Sequence, residues 1–256
     1  GFKQMPHERD FLERCIGQLI ELARALDSLH DETGRVVRLA IEPEPLCVLE
    51  TTDETLRFFE RLRQRAADAA ARQIVERHIG VCYDVCHQSV EFEDVKQSIE
   101  QLQAAGIRIN KVHITCAIRL MDPANNAEGR EALAAFVEPR YLHQTFARGA
   151  DGRVRAALDL ARPLCEVPPP EYLNADEWRV HFHVPVNAER LGPLETTRDD
   201  LRRALQAVAG LEYAPHLEVE TYTWGVMPGE TPPSLVDGLT AELTATRDLL
   251  AGIAGS

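Results

Sequence analysis

An α/β fold built on a parallel sheet is predicted by three observations. Short β-branched runs alternate with helix-length stretches whose apolar residues recur every three or four positions. Five such runs occur. Each carries acidic or imidazole residues near its C-terminal end, where the loops of an α/β sheet build their sites.

The first helix is expected from about Glu8 to His30, where Phe11, Leu12, Cys15, Ile16, Leu19, Ile20, Leu22 and Leu26 form one apolar stripe; Gly34 can stop it. Val36 to Ile41 reads as a strand, ended by Glu42-Pro43-Glu44-Pro45 because two prolines forbid an interior strand. Thr51 and Glu54 have capping-box spacing, and a helical pattern runs from Leu56 toward Val75. Ile79 to Tyr83 is the second strand, leading into Asp84-Val85-Cys86-His87. A helix from about Asp94 to Ala105, stopped by Gly106, precedes a third strand, Ile107 to Ile114, that carries His113.

After Thr115 the rhythm breaks, and residues 117–178 read as an insertion. Within it, Tyr141 to Arg148 and Arg153 to Leu160 flank Gly149-Ala150-Asp151-Gly152 and predict a β-hairpin. An insertion on the active face of such a fold is expected to be either a cover, with His143 or Arg148 reaching toward the mouth, or a surface or dimer decoration. Arg179 to Val186, with His181 and His183, is the fourth strand. Thr196 and Asp199 offer a cap for the helix Leu201 to Val208, His216 to Thr221 is the fifth strand with Glu218 and Glu220, and Leu235 to Ile253 is a final helix.

Composition narrows the function. The chain has 256 residues, 45% of them hydrophobic, enough for a sizeable core. A net charge of -13 opposes binding to nucleic-acid backbones. No apolar run approaches the roughly 20 residues that span a bilayer, and no signal peptide is evident, so a cytoplasmic protein that is not membrane-embedded is expected. The six cysteines lack the spacing of a disulfide framework; Cys82 and Cys86 read as buried thiols. The start at Gly1-Phe2-Lys3 in place of Met leads us to expect further chain upstream.

The chemistry lies in the strand ends: Glu42 and Glu44, Asp84, His113, His181 and His183, Glu218 and Glu220. Alternating strand side chains can send each such pair to one side. Buried carboxylates and imidazoles need a partner or a cation, and five strands ending this way make a divalent metal the simplest common explanation. Mixed carboxylate and imidazole donors suit Mn²⁺, Zn²⁺ or a related ion such as Mg²⁺. His7, His30, His78 and His216 lack this placement and are read as structural. No phosphate-cradling loop, dinucleotide fingerprint or serine elbow is present.

Glu42, Asp84-Val-Cys-His87, His113 and Glu220, in this order, resemble the ligand motifs of the xylose-isomerase-like barrels, which include sugar isomerases, ketose epimerases and zinc endonucleases. Leu39-Ala-Ile-Glu-Pro-Glu-Pro45, Cys82-Tyr-Asp-Val-Cys-His87, Tyr141-Leu-His-Gln144, His181-Phe-His-Val-Pro185 and Glu218-Val-Glu-Thr-Tyr-Thr-Trp224 are similar to the EboE family of metabolite traffic proteins, over nearly the whole chain. The resemblance implies one TIM (β/α)8 barrel domain over 1–256 that lacks its first three strands. It implies metal binding by Glu42, Asp84, His113 and Glu220, with Glu42 and Glu220 exchanging the proton. His87, Arg119 (six residues after His113), His181, His183, Glu44 and Glu218 would then face substrate. The implied function is an isomerase- or epimerase-like barrel acting on, or binding, a small sugar-like or hydroxy-carbonyl metabolite in a traffic role. The rivals are a zinc-dependent phosphoester hydrolase, with His181 and His183 holding a second zinc, and a non-catalytic metabolite-binding protein. A homo-oligomer or operon-encoded partner proteins are left open.

Overall fold

The computed structural model describes residues 1–229 and 234–255. The first helix, α1 (Phe11–Thr33), buries Ile16, Ile20 and Ala23 and ends at Gly34, whose φ of 70° turns the chain out of the helix. Strand β1 (Leu39–Ile41) is shorter than the β-branched run that announces it. The Thr51–Glu54 capping box forms and opens α2 (Thr52–Arg65). The expected single helix toward Val75 is in fact two. Ala66 adopts an extended backbone and Asp68 accepts from the Ala71 amide, starting α3 (Ala69–His78). The wholly buried β2 (Ile79–Asp84) then runs into α4 (Val85–Val90), α5 (Val95–Ala104) and β3 (Ile109–Ile114).

The insertion contains β4 (Cys116–Met121), α6 (Ala127–Ala134), the hairpin β5 (Thr145–Arg148) and β6 (Val154–Ala157), and the short α7 (Arg162–Glu166) and α8 (Pro170–Leu173). Then come β7 (Glu177–Val184), β8 (Arg190–Leu191), β9 (Leu194–Thr196), α9 (Arg198–Ala209), β10 (His216–Val219) and, after a 3₁₀ turn at Tyr222–Gly225, α10 (Leu235–Ala254). Among the described residues no helix is long and apolar enough to cross a membrane.

These strands make two sheets. A parallel sheet has the order β1-β2-β3-β10, and an antiparallel one has the order β6-β5-β7-β4-β9-β8. The fold is therefore α/β with a parallel sheet, but no closed barrel forms among the described residues, and four strands, not five, are parallel. The run at Arg179 to Val186 corrects the expectation: as β7 it lies between β4 and β5, antiparallel to both. The reason is local. Thr115 connects β3 directly to β4, which carries the chain onward as a second sheet and offers β7 a reversed edge.

The insertion is likewise a structural wall in place of a separate cover. Phe146, Ala147, Trp178, Val180 and Phe182 are buried, and Trp178 donates to the Tyr172 carbonyl at 2.7 Å. Arg148 pairs with Glu177 and packs over Phe92, and His143 is buried against Phe182.

One irregularity sets the register at the centre of the parallel sheet. Val81 pairs with Ile109 but Cys82 with Lys111, so Asn110 is bulged and Asp84 ends opposite His113. Continuing the first register would set Asp84 against Val112 and send His113 to the other face. Gly80 permits the bulge. Its missing side chain leaves a path for Asn110, which crosses β2 and donates to the Leu39 carbonyl on β1 at 2.7 Å. A β-carbon at Gly80 would overlap both the Arg108 carbonyl and the Asn110 amide. Gly80→Ala is accordingly expected to cost about 1–3 kcal/mol. Urea unfolding measures it, and an unchanged midpoint would mean that the bulge does not need the open position.

Candidate metal centre

Four parallel strands bring four of the expected residues to one edge. Glu42 follows β1, Asp84 ends β2, His113 lies near the end of β3, and Glu220 follows β10. Nδ1 of His113 stands 3.0 Å from Glu42 Oε1, 3.2 Å from Asp84 Oδ2 and 3.0 Å from Glu220 Oε2. One ring nitrogen cannot satisfy three carboxylates with a single proton, and such a convergence of negative charge is a cation's environment. Their ligand atoms fall within 4.8 Å of one another. Asp84 and His113 are buried, whereas the side chains of Glu42 and Glu220 are 33% and 35% exposed and leave the site open to a ligand.

Asp84 is held on all sides. Oδ1 accepts from the Thr115 hydroxyl at 2.7 Å and, as the N-cap of α4, from the His87 amide at 3.0 Å. Oδ2 faces His113, with Nε2 of His87 and of His183 at 3.9 and 3.8 Å. Burial opposes ionisation of Asp84, but the imidazoles of His87, His183 and His113 outweigh it and keep the carboxyl far below the usual carboxylate range. Burial likewise lowers His113, and its bonds to Asp84, Cys82, Glu220 and Glu42 outweigh that, holding its proton far above the usual imidazole range. In the cation-free protein His113 carries the charge that a bound ion would bring.

A second group lies on the antiparallel side. Strand β7 sends His181 and His183 toward His87, and the His87 and His181 Nε2 atoms are 3.1 Å apart. Nδ1 of His87 donates to the Pro43 carbonyl, and Nδ1 of His183 to the Glu220 carbonyl. Because a carbonyl can only accept, Nδ1 of each ring carries a proton, and Nε2 of His183 is buried without a hydrogen-bond partner. Asp84, His87 and His183 form one potential cation group, and Cys86, His181 and His183 another. Burial, reinforced by the neighbouring imidazoles, lowers His181; in His183 burial and the His87 imidazole outweigh Asp84.

Three residues expected at the substrate are engaged elsewhere. Arg119 pairs with Glu177 at 3.0 Å, in a network where Arg179 joins Glu177 to Asp200. Glu218 shares the face of Glu220 but pairs with Lys111 at 2.6 Å. Glu44 is tied into its own turn, accepting from the Cys47 thiol at 3.6 Å. Of the histidines read as structural, His78 bonds the Val37 carbonyl and Asp27, and His216 lies beside Glu218.

Sequence reasoning missed Cys82, Thr115, Gln144 and Tyr222. Cys82 is buried as expected, and burial pushes its thiol up to about 11, yet its sulfur groups with Glu42 and His113. Its place two residues before Asp84 on a strand was the available signal. Gln144 accepts from His181 Nδ1 at 2.7 Å, and the Tyr222 ring lies 4.7 Å from that of His183. Nothing in the spacing announces either contact.

No family model matches the chain, and no curated protein or solved structure matches it.

The titrating groups predict a pH optimum for the stability of the cation-free protein. His181 and His183 are held below the ordinary histidine value of 6.5, so their contribution is complete above that pH and is lost as pH falls through the acid range. His113 is held above 6.5, so its contribution is complete below that pH and is lost as pH rises. Each slope approaches about 1.4 kcal/mol per pH unit and group. Denaturant unfolding with a chelator from pH 5 to 8 should show an acid limb and an alkaline limb, and Glu91, which burial pushes up to about 10, adds to the loss as pH rises. His181→Gln with His183→Gln should flatten the acid limb, and His113→Gln the alkaline one.

Proposed function

We propose that this protein is a divalent-cation-dependent, isomerase- or epimerase-like enzyme acting on a small sugar-like or hydroxy-carbonyl metabolite. The barrel of the xylose-isomerase type and the EboE-like traffic setting belong to the same proposal. One observation carries it: two partly exposed glutamates, Glu42 and Glu220, come from the two outer strands of the parallel sheet and flank the buried Asp84–His113 pair, both 3.0 Å from its imidazole.

The donor set of three carboxylates and one imidazole fits Mn²⁺, Zn²⁺ or Mg²⁺, held by Glu42, Asp84, His113 and Glu220. When bound, such an ion polarises a substrate carbonyl and lowers the barrier to removing the neighbouring proton. The chain supplies the acid–base chemistry. One glutamate takes the proton at a carboxylate oxygen, and the other delivers a proton from the opposite side. Asp84, pinned by Thr115 and the His87 amide, stays an anion of fixed orientation. His87, His181 and His183 line the antiparallel side, where they orient hydroxyl groups. Arg119, Glu44 and Glu218 have no part in this reading, because other side chains engage them.

A second reading, zinc-dependent hydrolysis of a small phosphoester, is favoured by the three imidazoles. With Asp84 between them, the two groups could hold two ions, the arrangement that clamps an in-line displacement. Retention of a metabolite without turnover would mark the third role, a binding protein.

The test combines metal analysis of the purified protein with a metabolite panel assayed for isomerised, hydrolysed and merely retained compounds. Asp84→Asn and His113→Ala should lose the ion of the carboxylate group while the fold persists. Glu42→Gln and Glu220→Gln keep one ligand oxygen but lose the base, so turnover should fall by about 100-fold or more while metal content falls less. Unchanged metal in the first two variants would remove the shared centre and the isomerase-like chemistry with it.

A further inference from the structure

The Tyr141-Leu-His-Gln144 segment is absorbed by none of the chemistry above, yet it grips the histidine strand at His181 and reaches His183 through Tyr222. Gln144 Oε1 lies 2.7 Å from Nδ1 of His181, and the Gln144 carbonyl accepts from the His181 amide at 2.9 Å. His143 Nδ1 donates to the His181 carbonyl at 3.0 Å, while its Nε2 meets Glu138 at 2.9 Å. Tyr141 packs edge-on against Tyr222 at 4.8 Å, and Tyr222 lies against His183.

The orientation of the Gln144 amide follows from its second bond. Its Nε2 donates to the Pro45 carbonyl at 3.3 Å, so the oxygen is the end that faces His181. That oxygen can only accept, so Nδ1 of His181 carries the proton and Nε2 is bare. The Pro43 carbonyl, in the same turn, accepts from Nδ1 of His87 in the same way. The Nε2 atoms of His181 and His87 then face each other across 3.1 Å inside the protein, a contact that needs a proton or a cation between them, near the Nε2 of His183, which has no hydrogen-bond partner. Bare nitrogens so close repel unless something positive lies between them.

We propose that Gln144 is a positioning residue, which fixes Nδ1 of His181 as the protonated nitrogen and so turns its Nε2 toward His87, where the two neighbouring groups Asp84–His87–His183 and Cys86–His181–His183 offer a nitrogen-rich cation site. This role rests on the two-ion reading above and assigns a purpose to the inserted segment. Partners of this kind, bonded to the far nitrogen of a metal-binding imidazole, hold the ring and set its basicity. Three imidazoles favour Zn²⁺ or Co²⁺ over Mg²⁺, in contrast to the carboxylate-rich group next to it.

The test uses the full chain with Gln144→Glu, which keeps an acceptor, and Gln144→Met, which has similar length and none. Nitrogen-15 NMR of histidine-labelled, cation-free protein reads the tautomer of His181 directly. The Nδ1–H form should persist in wild type and Gln144→Glu and be lost in Gln144→Met. Zn²⁺ titration should then show two ions in wild type and Gln144→Glu, with the weaker site reduced about 10- to 100-fold in Gln144→Met alone. His87→Ala should remove that ion altogether. An unaltered His181 tautomer in Gln144→Met overturns the positioning role. A single ion in wild type, with the tautomer still dependent on Gln144, overturns the two-ion reading and leaves the positioning role standing.

Discussion

A carboxylate with no exposure to water has to be compensated by its surroundings, and Asp84 imposes that requirement on everything near it. One oxygen is satisfied by the Thr115 hydroxyl and by the first turn of α4, whose amide end favours a negative charge. The other oxygen faces imidazoles alone. Burial disfavours the charged forms of His181 and His183, whereas the carboxylates around His113 favour its charged form, so His113 or a bound ion is well placed to offset Asp84. A divalent cation bound at this centre would therefore compete with a proton for the same anionic pocket.

The two sheets divide the labour around that residue. The parallel sheet brings carboxylates from strand ends that all face the same way. The antiparallel sheet adds two imidazoles to His87 and His113, because β7 is wholly buried and aims alternate residues, His181 and His183, at the junction. Between them, the Glu42-Pro43-Glu44-Pro45 turn serves both sides. Glu42 joins the carboxylate group, while the Pro43 and Pro45 carbonyls orient His87 and Gln144. A turn that reads as a strand terminator is also a scaffold of acceptors.

Much of this was determined by the sequence alone. Apolar periodicity, capping residues and glycine stops located α1, α2, α5, α9 and α10, and the recurrence of Glu, Asp and His at strand ends marked Glu42, Asp84, His113 and Glu220. Those signals are local, and the physics behind them acts within a few residues. The carboxylate-rich group, buried at Asp84 and His113, then followed from parallel strands ending at one edge.

What only the tertiary structure decided depends on distant partners. The direction of β7 was invisible because a buried apolar run has the same composition in either orientation; its reversal came from β4 continuing β3 through Thr115. The sharing of one face by Asp84 and His113 required the bulge at Asn110, which no side-chain pattern on β3 records. Arg119 and Glu218 stood at plausible offsets but found nearer opposite charges in Glu177 and Lys111. Gln144, 37 residues from His181, acquired its role only when the inserted hairpin joined the same sheet. Spacing reveals which groups a strand can present, whereas hydrogen-bond partners that far apart are chosen by packing.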